Sequence, residues 1–279
     1  PLGVDVTIVE IMPKLLLGMD QSLADIMHKS LKARGVKVLL DTKVDELSIK
    51  KEQAQVLFSN KQSETFDRVL VATGRRPATA DLGLESVDIS TNKRGFIDVN
   101  ARMETTQKDT YCIGDANGKC LLAHAASAHG VTAVKNALGE ANDFTAPVPS
   151  CVYTFPEVAA VGMTQESAHE KGIPITVGMF PLGHLGKSMA AGETDGFVKI
   201  IRHRETGEML GCHMAGHNVT EIIATPATLM HENVSVHDVA EMVFAHPTIS
   251  EGVKESAEDA LHMAIHLPPK KIMRVAVGG

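Results

Sequence analysis

No two cysteines in this chain are closely spaced. The four are Cys112, Cys120, Cys151 and Cys212, and none falls in C-x-x-C or any other redox or zinc spacing. Separated thiols of this kind, two of them in strand-like apolar contexts, are expected to be buried and reduced, and the location to be cytoplasmic. Long apolar runs are also missing. Nothing approaches the ~20 residues that a membrane-spanning helix needs. Clustered positive charge is absent too: 27 Lys and Arg stand against 34 Asp and Glu, for a net charge of −7. Neither nucleic acid nor a membrane is therefore an expected partner. Pro1-Leu2-Gly3-Val4 has no start methionine and no basic n-region, so it is not a signal peptide and reads as a cut through something longer. No internal repeat or low-complexity stretch is visible.

Histidine is plentiful, at thirteen residues, and His213-x-x-x-His217 has helical ligand spacing. Gly211 to Gly216, however, reads as a strand ending in a turn, which would keep the two rings off one face. No metal site is expected. The 279 residues, 44% of them hydrophobic, suffice for two cores, or one and a half.

Val4, Val6 and Ile8 alternate, with Val9 on the other face, so residues 4–9 read as a buried strand ending at Glu10. A helix follows, with Ser22-x-x-Asp25 as capping box and Leu23, Ile26, Met27 and Leu31 on one face. Gly35 ends it. Val36–Leu40 is the next strand, which completes one βαβ unit of a parallel sheet. Strands at 54–59 and 65–72 read as an antiparallel insertion. The second closes on Gly74, where the backbone turns or meets a ligand. Short strands are expected at 95–99 and 110–113, the latter running into Gly114-Asp115. A helix at about 121–138 presents Leu122, Ala126, His129, Ala133 and Ala137 on a small-residue face, and Gly139 ends it.

Pro147 and Pro149 mark a boundary. Strands are read at 151–154, 158–161 and 175–180, with a Thr164–Gly172 helix between them, then a hairpin of Phe197–Ile201 and Met209–Cys212. Three helices follow at 219–232, 236–243 and 249–265. Pro226 should kink or weaken the first, Ser235-x-x-Asp238 should cap the second, and Val253, Ala257, Ala260, Leu261, Ala264 and Ile265 give the third its apolar face. This half reads as antiparallel α+β.

The stretch Phe244–Glu251 carries two readings. A histidine such as His246 can act as general acid and base, and Glu251, across a proline turn, can fix its tautomer. Equally, Thr248-x-x-Glu251 is a capping box that opens the last helix.

Four ordered stretches carry a resemblance. Val-Leu-Val-Ala-Thr-Gly-Arg-Arg-Pro at 69–77, Tyr-Cys-Ile-Gly-Asp at 111–115, Leu-Leu-Ala-His at 121–124 and Ala-His-Pro-Thr-Ile-Ser-Glu at 245–251 together resemble the pyridine nucleotide–disulfide oxidoreductases. Within that family they are most similar to the enzymes that oxidise dihydrolipoamide with NAD, and glutathione-reductase-type enzymes come second.

The resemblance implies an α/β fold followed by α+β, in three parts. These are a partial Rossmann-like NAD domain at 1–77, the C-terminal part of an FAD/central domain at 78–147, and an antiparallel-sheet interface (dimerisation) domain at 148–279. It implies FAD and NAD as cofactors. Asp115 is similar to the residue that binds the FAD ribityl chain, and Leu121, Leu122, Ala123 and His124 to the helix start facing the flavin ring. Glu10 resembles the acid on the adenosine ribose of NAD, and an acid there disfavours a 2′-phosphate. Val44 and Gly74 match positions where NAD touches backbone. His246, held by Glu251 and following a candidate cis His246–Pro247 bond, resembles the acid/base that serves the redox disulfide of the partner subunit in a homodimer. A lipoyl domain or another small disulfide or dithiol is the implied substrate, and a 2-oxo acid dehydrogenase complex the implied setting.

Three family features are missing: the G-x-G-x-x-G of the FAD domain, the C-x-x-x-x-C redox pair, and a glycine-rich NAD turn before Glu10. The C-terminal Arg274–Gly279 also lacks the cysteine pair of mercuric reductase and the redox tail of large thioredoxin reductases. The expectation is a fragment that by itself neither holds FAD tightly nor exchanges thiols and disulfides. A dimerisation module without chemistry is the alternative.

Overall fold

The computed structural model describes residues 2–268 and resolves two compact units, one taking in the chain up to Arg68 and again from Pro149, the other Val69–Val148. Arg274–Gly279 lies outside the described residues. In the first unit, β1 (Thr7–Val9), α1 (Gln21–Ala33) and β2 (Lys37–Leu39) form the expected βαβ crossover, with β1 parallel to β2. Leu23 and Met27 are buried on the helix face read from the sequence. Its start differs from expectation. Asp20, not Ser22, is the N-cap, and its carboxylate accepts from Ser22 N at 3.0 Å. Asp25 instead accepts from Gln21 Nε2 at 2.8 Å. The C-terminus ends as a Schellman motif, with Val36 N on Leu31 O and Gly35 N on Lys32 O, both at 3.0 Å, and Gly35 at φ +80°.

Next come three antiparallel strands, β3 (Val44–Lys50), β4 (Gln53–Phe58) and β5 (Ser63–Phe66), in that order across the sheet. The sequence reading has the β4–β5 pair but not β3. It also extends the last strand to residue 72, whereas β5 stops at Phe66. Leu70 is 90% exposed and Val71 72%. A strand needs neighbours to take its N–H and C=O groups, and among the described residues none pairs with 69–72.

The second unit has little regular structure. Of the strands expected at 95–99 and 110–113, only isolated bridges form, Thr91 to Ile97 and Glu104 to Tyr111. Gly114–Asn117 is a single 3₁₀ turn, followed by α2 (Ala123–Ala137). The buried face of α2 is Ala125, His129, Thr132 and Ala133, so Ala137 of the expected face lies in the open.

From Pro149 on, the antiparallel α+β reading holds. The elements are β6 (Ser150–Val152), β7 (Glu157–Gly162), α3 (Gln165–Glu170), β8 (Ile175–Pro181), α4 (Gly186–Ala191), β9 (Phe197–His203) and β10 (Met209–Gly216). The strands form one antiparallel sheet in the order β6-β7-β10-β9-β8. Then come α5 (Val219–Ile222), α6 (Ala224–His231), α7 (Val236–Glu241) and α8 (Glu251–Ala260). Pro226 has the expected effect: its ring would press on the Ile222 carbonyl, and α5 ends at that residue. Ser235 caps α7 as read, accepting Asp238 N at 3.1 Å. The last helix is shorter than 249–265. It closes at Leu261 with Met263 N on Glu258 O at 2.8 Å and His262 at φ +60°, which leaves Ile265 of the expected apolar face exposed.

The five-stranded sheet is covered on both faces, so its central strands are largely buried. Leu23 and Met27 of α1 pack with Val158, Ala160, Phe197 and Ala215 on one face. On the other, Val253, Ala257 and Ala260 of α8 pack with Val161, Val198, Ile200, Cys212 and Met214. The alternation along β10 sends Ala215 to one layer and Cys212 and Met214 to the other.

Candidate functional site

His246 and Glu251 are brought together by the turn between α7 and α8. Glu251 is the first residue of α8, and its two carboxylate oxygens do different work. Oε1 stands 2.8 Å from His246 Nδ1, and Oε2 accepts the Thr248 N–H at 2.7 Å. The dyad geometry forms, and the same carboxylate holds the turn backbone. The expected capping box does not form: the N-cap position of α8 is Ser250, without a side-chain capping bond, and the Thr248 hydroxyl donates to Ala245 O at 2.8 Å. The His246–Pro247 bond is cis.

A carboxylate at Nδ1 requires a proton on that nitrogen and leaves the Nε2 lone pair as the basic position of the neutral ring. Burial pushes the Glu251 carboxyl up, but the Thr248 N–H and the His246 ring together outweigh it and hold the group below its ordinary value. The imidazole is 73% exposed while Glu251 is mostly covered. The arrangement is a fixed carboxylate with a presented base. Gly186, which the sequence reading missed, opens α4 beside the ring: a methyl there would lie 3.8 Å from His246 Cε1. No spacing signal in the sequence links residue 186 to 246.

Asp115 and residues 121–124 occupy consecutive elements of the second unit. Asp115 lies in the 3₁₀ turn Gly114–Asn117, and Leu121 to His124 lead into α2, whose N-cap position, Leu122, has no side-chain capping bond. A helix start carries N–H groups without intrahelical partners and a partial positive charge. Arg75 Nη1 meets Asp115 Oδ2 at 2.7 Å, with both side chains substantially exposed. Arg75 sits in a quoted motif but was given no role by the sequence reading. Cys120 lies close by, its thiol pushed up by burial and then by the Asp115 charge. An exposed carboxylate beside a helix start without a side-chain cap suits a polyol chain leading to an electron-rich ring, so these residues fit a flavin.

Glu10 ends β1. Its N–H donates to Leu39 O at 2.9 Å, and its carbonyl accepts Thr42 N at 3.0 Å. The backbone ladder thus carries the chain from Glu10 to Thr42, two residues before Val44, which is 40% exposed at the start of β3. One oxygen of the Glu10 carboxylate accepts Met12 N at 2.8 Å, so the other remains for a hydroxyl donor. This is compatible with a ribose. Gly74 belongs to the second unit, at φ +103° with open space where a side chain would be.

His213 and His217 do not converge. His213 is buried in β10 with Nε2 on Met163 O at 2.9 Å, and His217 is exposed beyond the strand. Among the described residues no three His, Cys, Asp or Glu side chains could hold a metal ion, and no helix is long and apolar enough to cross a membrane. All four cysteines are free; Cys112 and Cys212 are buried, Cys120 and Cys151 partly exposed.

Comparison with known proteins gives a consistent set. Residues 148–257 match the family described as pyridine nucleotide-disulphide oxidoreductase, dimerisation domain, and residues 1–130 match pyridine nucleotide-disulphide oxidoreductase. A dihydrolipoyl dehydrogenase of Thermus scotoductus is 39% identical over 271 residues, covering 95% of this chain and 59% of the relative. That of Chlamydia pneumoniae is 36% identical, covering 96% and 58%. Among solved structures, LpdA from Mycobacterium tuberculosis superposes with a TM-score of 0.85 at 27% identity, over 92% of this chain and 56% of that one. The HOCl-induced flavoprotein disulfide reductase RclA from Escherichia coli gives 0.83 at 28%, over 92% and 59%. The chain spans less than three fifths of the length of each of these four proteins.

Proposed function

Because this chain belongs to the pyridine nucleotide–disulphide oxidoreductases, we propose that it forms the C-terminal part of an FAD-dependent dihydrolipoamide dehydrogenase. The reaction is dihydrolipoamide + NAD⁺ → lipoamide + NADH + H⁺. The observation that carries the proposal is the 2.8 Å contact of Glu251 with His246 Nδ1. It leaves Nε2 as the basic position of the ring, which supports a role in taking the proton of a substrate thiol.

Thiolate is the nucleophile in thiol–disulfide exchange. His246 Nε2 accepts the proton of the dihydrolipoamide thiol as that sulfur attacks a disulfide. The imidazolium so formed is stabilised by ionised Glu251; the attack breaks the disulfide's S–S bond and forms a mixed disulfide, and when the substrate's second thiol attacks this to close lipoamide, the imidazolium returns the proton to the departing sulfur. Asp115 and the backbone at Leu121, Leu122, Ala123 and His124 would hold FAD. Glu10, Val44 and Gly74 would hold NAD. When bound, the flavin supplies the two-electron path from dithiol to nicotinamide.

The domain division that goes with this reading is 1–77 for NAD, 78–147 for the central/FAD part and 148–279 for the interface. The match to a dimerisation domain supports a homodimer, as do the exposed Tyr153, Phe155 and Val243 in that part of the chain. In such a dimer His246 would serve the partner subunit's disulfide. A lipoyl domain is the substrate carrier, within a 2-oxo acid dehydrogenase complex in the cytoplasm. A different disulfide substrate is the second reading, favoured by the likeness to the Escherichia coli flavoprotein disulfide reductase.

These 279 residues contain no C-x-x-x-x-C pair and no G-x-G-x-x-G turn, so alone they should neither retain FAD nor turn over. The test is dihydrolipoamide-dependent NAD reduction by the full-length gene product beside the 279 residues alone. Activity in the first and none in the second is expected. A yellow, active preparation of the 279 residues refutes the expected inactivity, and an inactive full-length flavoprotein refutes the lipoamide assignment.

A further inference from the structure

The function proposed above assigns no role to the buried histidine of α2. His129 lies on α2 with none of its surface exposed. Its Nδ1 accepts the backbone N–H of Gly114 at 3.3 Å. Asn117 closes on the same nitrogen at 3.5 Å while donating to Cys112 O at 3.1 Å. The edge of the ring meets Phe144, with centroids 4.8 Å apart. Nε2 is buried and has no hydrogen-bond partner among the described residues.

Gly114 and Asn117 are the two ends of the 3₁₀ turn that contains Asp115. Gly114 itself, at φ +65°, approaches α2 so closely that a methyl there would stand 3.1 Å from Ala126 Cβ. The turn is therefore seated on α2 by one steric contact and by one acceptor, His129 Nδ1. A nitrogen that accepts from N–H groups carries no proton, which puts the ring in the neutral Nε2–H form. Protonation would set a new N–H against the N–H of Gly114, in a place shut off from the surface. The environment favours the neutral ring: burial, and then the charge of Lys119, hold His129 below its ordinary range. The groups that face the ring (the Gly114 N–H, the Asn117 amide and Phe144, with Lys119 acting by charge) include no carboxylate that would stabilise an imidazolium.

We propose that His129 is the positioning residue of the Gly114–Asn117 turn: its neutral imidazole anchors both ends of the turn and thereby fixes Asp115 for a bound ribityl chain. The last clause rests on the flavin reading of Asp115; the anchoring itself does not. Acid then acts as a release, since the protonated ring cannot accept from Gly114.

The test uses the 279-residue chain. Nitrogen-15 spectra of the imidazoles should give His129 as the Nε2–H tautomer at neutral pH. The hydrogen-exchange protection factor of the Gly114 amide should fall about tenfold or more as His129 protonates. His129→Leu, which has no acceptor, should lose that protection at every pH. His129→Gln, whose Oε1 can accept, should restore it and abolish the pH dependence, an outcome that a space-filling role would not produce. An Nδ1–H tautomer in the unaltered chain, which needs no variant to fold, overturns the proposal. So does equal Gly114 protection in the Leu variant. The flavin reading is checked separately through the flavin content of full-length Asp115→Ala. Flavin retained there, with the exchange results intact, sinks that reading and leaves the anchor standing.

Discussion

Lys199 Nζ and Asp20 Oδ1 meet at 2.7 Å, and both side chains are almost wholly shut off from water. The two residues lie 179 positions apart, one at the start of α1, the other in the middle of β9. Asp20 is saturated: it also accepts Ser22 N at 3.0 Å, Ser22 Oγ at 2.5 Å and Gln165 N at 3.0 Å. Burial pushes its carboxyl up, but these partners outweigh it and hold the group well below the usual carboxylate range. One side chain thus caps α1, ties down the start of α3 and neutralises a lysine inside the sheet layer. The pair pins the βαβ helix to the sheet.

Removing one partner leaves a buried charge uncompensated, a loss of roughly 3–5 kcal/mol. Lys199→Met, which strands the Asp20 carboxylate, and Asp20→Asn, which strands the Lys199 ammonium, should therefore both unfold the first unit at distinctly lower urea. Urea midpoints of the two variants decide this, and small shifts would contradict it.

Glu251→Gln separates the two roles of that residue. An amide oxygen can still take the Thr248 N–H, so thermal stability should stay within about 0.5 kcal/mol, as for a mild surface change. The flavin-loaded full-length enzyme should nevertheless lose turnover, because an amide does not enforce Nδ1–H on His246. His246→Gln should cost ~10²–10⁴-fold in turnover, the usual worth of a general acid/base. Steady-state rates alongside melting curves test both.

Gly178 in β8 passes directly under α8. A methyl there would drive into the Ser256 carbonyl and the Ala260 N–H, which are backbone atoms that cannot swing aside. Gly178→Ala should destabilise by at least about 1–3 kcal/mol, the range for overpacking. An unchanged melting temperature would mean that α8 does not cross the strand this closely.

His213 sets a pH dependence of stability. Burial lowers its proton affinity, and neither the Met163 carbonyl nor the Asp20 charge restores it. A group whose folded pKa is depressed binds more protons when unfolded. Its contribution is therefore complete above the unfolded value of ~6.5 and is lost as pH falls through the folded one. Urea midpoints should decline from pH 7 toward pH 5, and His213→Gln should flatten that part of the slope. His266 works in the opposite direction. Its hydrogen bond with Glu255 raises it, so its contribution is present at low pH and fades as pH rises. The comparison between parent and variant, not the absolute slope, is the measurement that isolates His213.

What could be read along the chain is what neighbours in sequence decide. The Schellman end of α1 at Gly35, the cap of α7 at Ser235, the break before Pro226 and the turn that joins His246 to Glu251 all involve residues within about five positions of one another. Apolar periodicity likewise found α1, the β9–β10 hairpin and most of α8, because a face must be buried whatever it meets. The candidate dyad was legible for the same reason: a proline turn and a first helical residue suffice to bring a carboxylate to a ring.

Tertiary structure decided the rest. The cap of α1 is Asp20 and not the Ser22 box, because Lys199 and Gln165 arrive from far along the chain to share its carboxylate. Residues 69–72 are as apolar as any strand, yet among the described residues they have no partner edge, and a strand without one cannot satisfy its backbone. Gly178 is an ordinary glycine until α8 crosses it, and His129 is one more helix-face residue until Gly114 folds onto its Nδ1. Local pattern specifies which groups seek burial or a partner. Only the packed chain determines which distant group supplies it, because a hydrogen bond or a buried charge is satisfied at about 3 Å in space and not at any fixed spacing in sequence.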